Sequence, residues 1–442
     1  MEAYAIIIIL LAVAVGLSPV ATKIKLPYPV LLLLAGIGVG FIHSFQPVSI
    51  NPEVVFLIFL PPMLYDAACN ISAKEFKRNL RVISQLAFFL VFVTVGAIAV
   101  TVHYCLGISW ALSFVLGAIL SPPDAIAATN VTKGLGLTHR TETILEGESL
   151  INDASALVSF RFAVAAVAGS VFVPLNAFLS FLAMLVGGFL AGWILSHLFL
   201  FIARKKFDRK VIVSLNLMLP FVAYLIAEEI HVSGVIAVVT AGLIMTRHKD
   251  RLSEATVMQS KSIFEMVIFV LSGLVFILIG LQFPQVLKNI SPDRFLPLIG
   301  CSFLIFAVAL LVRMFTVFWH KYNTKKQYNV LTEKIKDIND TKWQRTNRHF
   351  HNLKTFDYRI EYFKSLLLTW KEALIIGWSG MRGIVSLAAA LSLPLAMTDG
   401  TDFPERDTIL FLTVSVVIIM LLVQGLGLPM LVKWLKINNR QH

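Results

Sequence analysis

Charged residues are scarce: Asp, Glu, Lys and Arg together make up 14% of the 442 residues, against about 25% in soluble domains. Cysteine is scarcer still. Cys69, Cys105 and Cys301 share no metal-ligand spacing, and an odd count in apolar surroundings points to buried free thiols rather than a disulfide framework. No G-x-S-x-G and no H-E-x-x-H occurs, and no histidine lies near Asp153 in sequence, which speaks against an intramembrane hydrolase. No nucleotide-binding or regulatory module and no cofactor motif is expected. What fills the chain instead is apolar: 57% of it is hydrophobic, in runs of about 17–25 residues, long enough to cross a bilayer as helices. The chain reads as an all-α, polytopic membrane protein.

Thirteen helices are expected, at about 3–22, 28–44, 51–68, 80–104, 108–131, 143–168, 174–203, 210–228, 232–246, 262–283, 295–320, 370–395 and 407–434. A net charge of +12 would suggest a nucleic-acid partner in a soluble chain. Here its placement says otherwise. Of the 38 Lys and Arg residues, only Lys288, Arg294 and Arg406 fall in loops after even-numbered spans, and only Arg161, Arg313 and Arg382 fall inside spans away from their ends. The rest fall after odd-numbered spans, which by the positive-inside rule puts the N-terminus outside and the C-terminus in the cytoplasm. The first span is expected to be retained as an anchor. The polar segment 321–365 admits two readings: a solvated cytoplasmic linker, or a surface helix with Val330, Leu331, Ile335, Ile338 and Trp343 against anionic lipid. Spans 4–6 and 11–13 are related by an odd offset, so they cross in opposite senses. The middle span of each triplet is interrupted, the fifth at Pro122-Pro123 and the twelfth over Gly377–Gly383. Paired interruptions in inverted halves point to a transporter site near the bilayer midplane.

The chemistry gathers at these interruptions. Prolines unwind a helix and free carbonyl oxygens, which a membrane tolerates only where they line a cavity. Asp124 follows the double proline. The sixth span opens on Glu146-Gly147-Glu148-Ser149-Leu150-Ile151-Asn152-Asp153. Glu148, Ser149, Asn152 and Asp153 fall within an arc of roughly 140° on a helix, so two carboxylates, a hydroxyl and an amide face one way. These hard oxygen donors suit a small monovalent cation, and without His or Cys they do not suit zinc or iron. The blander possibility is a polar network that merely packs two helices. Arg382, between Gly380 and Gly383, is the expected counter-charge, paired bidentately with Glu148. Asp66, after Pro61-Pro62-Met63-Leu64-Tyr65, is either an outlying ligand or an interfacial acid. Arg161 either pairs with an acid or snorkels. A cation channel is a further possibility, though no filter-like loop is evident.

Gly147–Asp153 resembles the sixth-helix signature of the monovalent cation:proton antiporters of the NhaP and NHE type. Ser121-Pro122-Pro123-Asp124-Ala125 is similar to their S-x-T-D-P segment, with Pro123 for the threonine and Ala125 for the proline. Pro61–Asp66 resembles P-P-x-L-F-E with Asp66 for the glutamate, and Gly380–Gly383 resembles G-x-R-G. The likeness covers residues 1 to about 434. It implies a homodimer of the cell membrane, prokaryotic by its compactness, that exchanges Na+ (or K+ or Li+) for H+ in a role in pH homeostasis. Residues 1–75 and 171–290 would form the scaffold, and 76–170 and 291–442 a mobile core. Asp153 would carry cation and proton alternately, with Asp124 and Ser149 as further ligands. Asn152 would hold the broken segments together, and Glu148 with Arg382 would be a structural ion pair. An Asn-Asp pair in place of Asp-Asp implies electroneutral one-for-one exchange. Pro123 lacks the hydroxyl that would tie the break to Asn152.

Overall fold

The computed structural model describes residues 3–24, 28–42, 52–71, 89–123, 139–169, 174–205, 207–340, 364, 367–397 and 400–435. Fourteen α-helices run through them. They are α1 (Ala3–Ile24), α2 (Tyr28–Gly40), α3 (Pro52–Asn70), α4 (Leu90–Leu106), α5 (Trp110–Ile119), α6 (His139–Val167) and α7 (Pro174–Ala203). There follow α8 (Arg209–Glu229), α9 (Gly234–Arg247), α10 (Glu254–Asn289), α11 (Pro292–Asp340), α12 (Trp370–Trp378), α13 (Ile384–Leu391) and α14 (Arg406–Trp434). Extended pairing among the described residues is limited to an isolated bridge between Ala396 and Asp402. A helix stands at every expected position, and the twelfth is split into α12 and α13. Six helices are long and apolar enough to cross a bilayer, and five shorter ones are apolar.

Where helices touch, small residues bring backbones together, the usual device where lipid removes any hydrophobic drive between helices. α2 lies along α10, with Gly36 against Gly280, and a Cβ on either would overlap a carbonyl oxygen of the other helix. Packing is extensive between α7 and α9, α3 and α9, and α2 and α10. It is likewise extensive between α4 and α5, α4 and α11, and α5 and α6.

Three boundaries depart from expectation. α10 begins at Glu254 rather than near 262, because Ser253 caps it: its hydroxyl accepts from the Thr256 amide at 3.2 Å. α11 runs on to Asp340, so 321–340 is neither a linker nor a separate surface helix but a continuation of the eleventh span. No Gly or Pro follows Gly300 before residue 340, and Lys, Gln, Glu and Leu in 321–340 favour the helix. Leu331 is buried and Val330 exposed, so the two do not share one apolar face; Trp343 lies outside the described residues. The third is in the fifth span, where α5 ends at Ile119, short of Pro122-Pro123; 124–138 lie outside the described residues.

Candidate functional site

α5 ends at Ile119, and Leu120 to Pro123 follow without helical structure, all buried. In the twelfth span a capping box starts α12: the Thr369 hydroxyl accepts from the Glu372 amide at 3.1 Å, and the Glu372 carboxylate accepts from the Thr369 amide at 2.8 Å. Ser379 to Gly383 separate α12 from α13. Both interruptions therefore stand where the sequence places them, and the helices that flank them, α5, α12 and α13, each touch α6.

α6 supplies the polar face. Glu148, Ser149, Asn152 and Asp153 are all buried, Asp153 at 7% exposure. The Ser149 hydroxyl donates to the Pro123 carbonyl at 3.0 Å, so a carbonyl at the first break is bound directly by the helix that carries Asp153. Asn152 Nδ2 donates to Glu148 Oε1 at 3.2 Å. Its Oδ1 is buried without a hydrogen-bond partner among the described residues.

Glu148 does not pair with Arg382. Its counter-charge is Arg313 of α11: Nη1 meets Oε1 at 2.6 Å and Nη2 meets Oε2 at 3.2 Å. Arg313 Nε donates to the Ile376 carbonyl of α12 at 3.1 Å, so one guanidinium joins three helices. The correction has a steric cause. Gly380 makes room for Arg313 rather than framing Arg382, and a Cβ at 380 would overlap the Arg313 side chain. Arg382 instead turns to the other break. Its Nε donates to the Leu120 carbonyl, and its Nη1 lies 3.3 Å from the Met420 sulfur of α14. Arg382 thus ties the two interruptions together, a role the sequence suggested for Asn152. Arg313 went unassigned because no motif marks it. The available signal was an arginine inside an apolar span, after a long apolar run, which points to a buried partner.

The remaining candidates lie elsewhere. Asp66 is half-buried on α3 and accepts from Asn70 Nδ2 at 3.0 Å, with Glu265, Lys261 and Lys249 within electrostatic reach. Its neighbour Tyr65 is fully buried and donates to Asn216 Oδ1 at 2.5 Å. Asp124 lies outside the described residues. Arg161 pairs with Glu228 at 2.8 Å. The site is thus a buried polar face of α6, joined to the first interruption through Ser149 and braced by one ion pair and one arginine–carbonyl tie.

A family model described as "Sodium/hydrogen exchanger, transmembrane" matches residues 7–434. The "Sodium, potassium, lithium and rubidium/H(+) antiporter" of Bacillus pumilus is 32% identical over 415 residues, covering 89% of this chain and 56% of that protein. The chain thus spans little more than half the length of that relative. The "Na(+)/H(+) antiporter ApNhaP" of Aphanothece halophytica is 31% identical over 403 residues, covering 90% of this chain and 67% of that one. In fold, the solved sodium proton antiporter MjNhaP1 of Methanocaldococcus jannaschii superposes with a TM-score of 0.71 over 98% of both chains, at 18% identity.

Proposed function

The chain belongs to the sodium/hydrogen exchanger family, and on that premise we propose that it is a secondary active antiporter, exchanging a monovalent cation, sodium foremost, for a proton by alternating access. The observation that carries the reading is the buried face of α6, where Asp153 lies near Ser149, whose hydroxyl is bound to the Pro123 carbonyl at the first interruption. We assign Asp153 as the alternating carrier, Ser149 and Asp124 as further ligands, and Glu148, Arg313, Asn152 and Arg382 as the groups that hold the site in shape, with Pro122 and Pro123 keeping the break open. Asp66 stays a candidate ligand at the edge of this set.

Charge bookkeeping supports one-for-one exchange. With Asp124 assigned to the site from the sequence, the charges of Glu148, Asp153 and Asp124 and of Arg313 and Arg382 sum to one minus. One monovalent cation or one proton cancels it. A carboxylate taken out of water binds a proton more readily, whereas an arriving cation favours its ionised form. The two therefore compete, and a core that crosses only when neutral couples their fluxes. The scaffold is assigned to α1–α3 and α7–α10 and the core to α4–α6 and α11–α14, a division supported by the close packing within each set. Thirteen crossings, an outside N-terminus, a cytoplasmic C-terminus, a bacterial plasma-membrane setting and a homodimer complete the proposal.

Potassium is the second reading for the cation, because the Bacillus pumilus relative is named for sodium, potassium, lithium and rubidium together. The test uses purified protein in acid-loaded liposomes with an internal pH dye. Sodium, potassium and lithium are added in turn, with the membrane voltage free and then clamped at zero. Proton release at the same initial rate under both conditions is expected, and the ion that elicits it names the substrate. No release with any ion would overturn the proposal, and a rate that depends on the clamp would overturn its electroneutral form.

A further inference from the structure

Arg161 lies eight residues beyond Asp153 on α6, about 12 Å along the helix at 1.5 Å per residue. Its Nη2 donates to Glu228 Oε1 at 2.8 Å. The acid belongs to α8, so the contact joins the helix that carries the site to a helix assigned to the scaffold. Both side chains are partly exposed, at 39% and 29%. The protein encloses this pair far less than it encloses Glu148–Arg313, whose side chains are 1% and 6% exposed.

The acidic half is prepared without its partner. Glu228 Oε1 also accepts the Gly234 amide at 3.1 Å, at the N-terminus of α9 where the helix dipole favours a negative charge. The α8–α9 turn that sets this geometry is fixed by His231 in the left-handed region at φ 58°. It is fixed further by bonds from the His231 amide to the Glu228 carbonyl and from the Val232 amide to the Ala227 carbonyl, each 2.9 Å. Ser233 caps α9. Gly234 is required, since a Cβ there would press on Glu228 Oε1 and the Tyr224 ring. Tyr224, one turn before Glu228, lies within electrostatic reach of the guanidinium. The scaffold thus presents a rigid receptor, and Arg161 is the long, rotatable half that can leave it.

We propose that Arg161 and Glu228 form a releasable latch between the site-bearing helix and the scaffold, and that these positioning residues set the balance between the two access states. The idea rests on the alternating-access reading above. A contact present in one state and absent in the other raises the population of the first. The apparent affinity for cation then falls on the membrane face that this state closes and rises on the opposite face.

The test measures the apparent KM for cation on each face, in right-side-out and everted vesicles, for wild type, Arg161→Gln, Glu228→Gln, the double variant and Arg161→Lys. Glu228→Gln keeps the oxygen that accepts the Gly234 amide, so it removes the charge and leaves the turn intact. Each single variant is expected to shift the two KM values several-fold in opposite directions. The double variant should match the singles rather than sum them, and Arg161→Lys should stay near wild type. KM values within twofold of wild type on both faces, shifts of the same sign on both faces, or additive shifts in the double variant would each overturn the latch. Failure of antiport itself would show in the wild type, and so is read separately.

Discussion

Arg313→Ala is expected to destabilise the folded protein by about 3–5 kcal/mol, the cost of stranding one member of a buried ion pair, and to abolish exchange with it. Glu148 is 1% exposed. Without Arg313, its remaining hydrogen-bond partner among the described residues is the Asn152 amide. The α11–α12 contact would go as well, because the bond from Arg313 to the Ile376 carbonyl is lost. Arg382→Ala should cost less, about 1–3 kcal/mol, since it leaves behind a neutral carbonyl at Leu120 rather than a charge. Thermal unfolding of the two variants in lipid or detergent gives the comparison. Equal losses would mean that Arg313 is not the main counter-charge of Glu148. Replacing both Glu148 and Arg313 by apolar residues of similar volume should recover stability, because no charge is then stranded.

Asp153→Asn is expected to fold normally and to lose exchange to background. The amide fits where the carboxylic acid fits, at nearly the same volume, so the packing of α6 survives. What it loses is the ability to be neutralised in turn by a proton and by a cation. In the wild type a bare carboxylate crossing the low-dielectric barrier would cost several kcal/mol, about a thousandfold in rate. That penalty prevents empty return and enforces coupling. In the variant the carrier is permanently neutral, so the core can cross without cargo and neither flux drives the other. The check is proton release from acid-loaded liposomes alongside an unfolding curve. Near wild-type exchange by a well-folded Asp153→Asn protein would remove Asp153 from its assigned role.

Much of this arrangement is legible in the chain, and the illegible parts share a cause. Local features were readable. Apolar runs mark the helices, with α7 at 174–203 as expected; Pro122-Pro123 and Gly377–Gly383 mark the breaks; the 148–153 spacing places four polar groups on one buried face. Tertiary choices were not readable. Glu148 had two arginines to choose from, and the glycines around Arg382 made it the natural partner. Those glycines serve the approach of α11, with Gly380 against Arg313 and Gly377 against Met314. A contact between residues 165 positions apart leaves no local mark. The Arg161–Glu228 pair, 67 positions apart, is hidden for the same reason. The long end of α11 was missed differently: 321–340 is polar enough to read as loop, and its helix-forming composition was outweighed by that polarity.

The central claim is that cation and proton compete for one carboxylate. It is tested most directly by initial rates of exchange in liposomes over a range of cation concentrations at several values of pH. Competition predicts that the apparent KM for the cation rises steeply as the pH falls, approaching tenfold per pH unit, while the rate at saturating cation stays constant. A constant KM with a falling maximal rate would mean that the proton acts at a separate site, and would contradict the account.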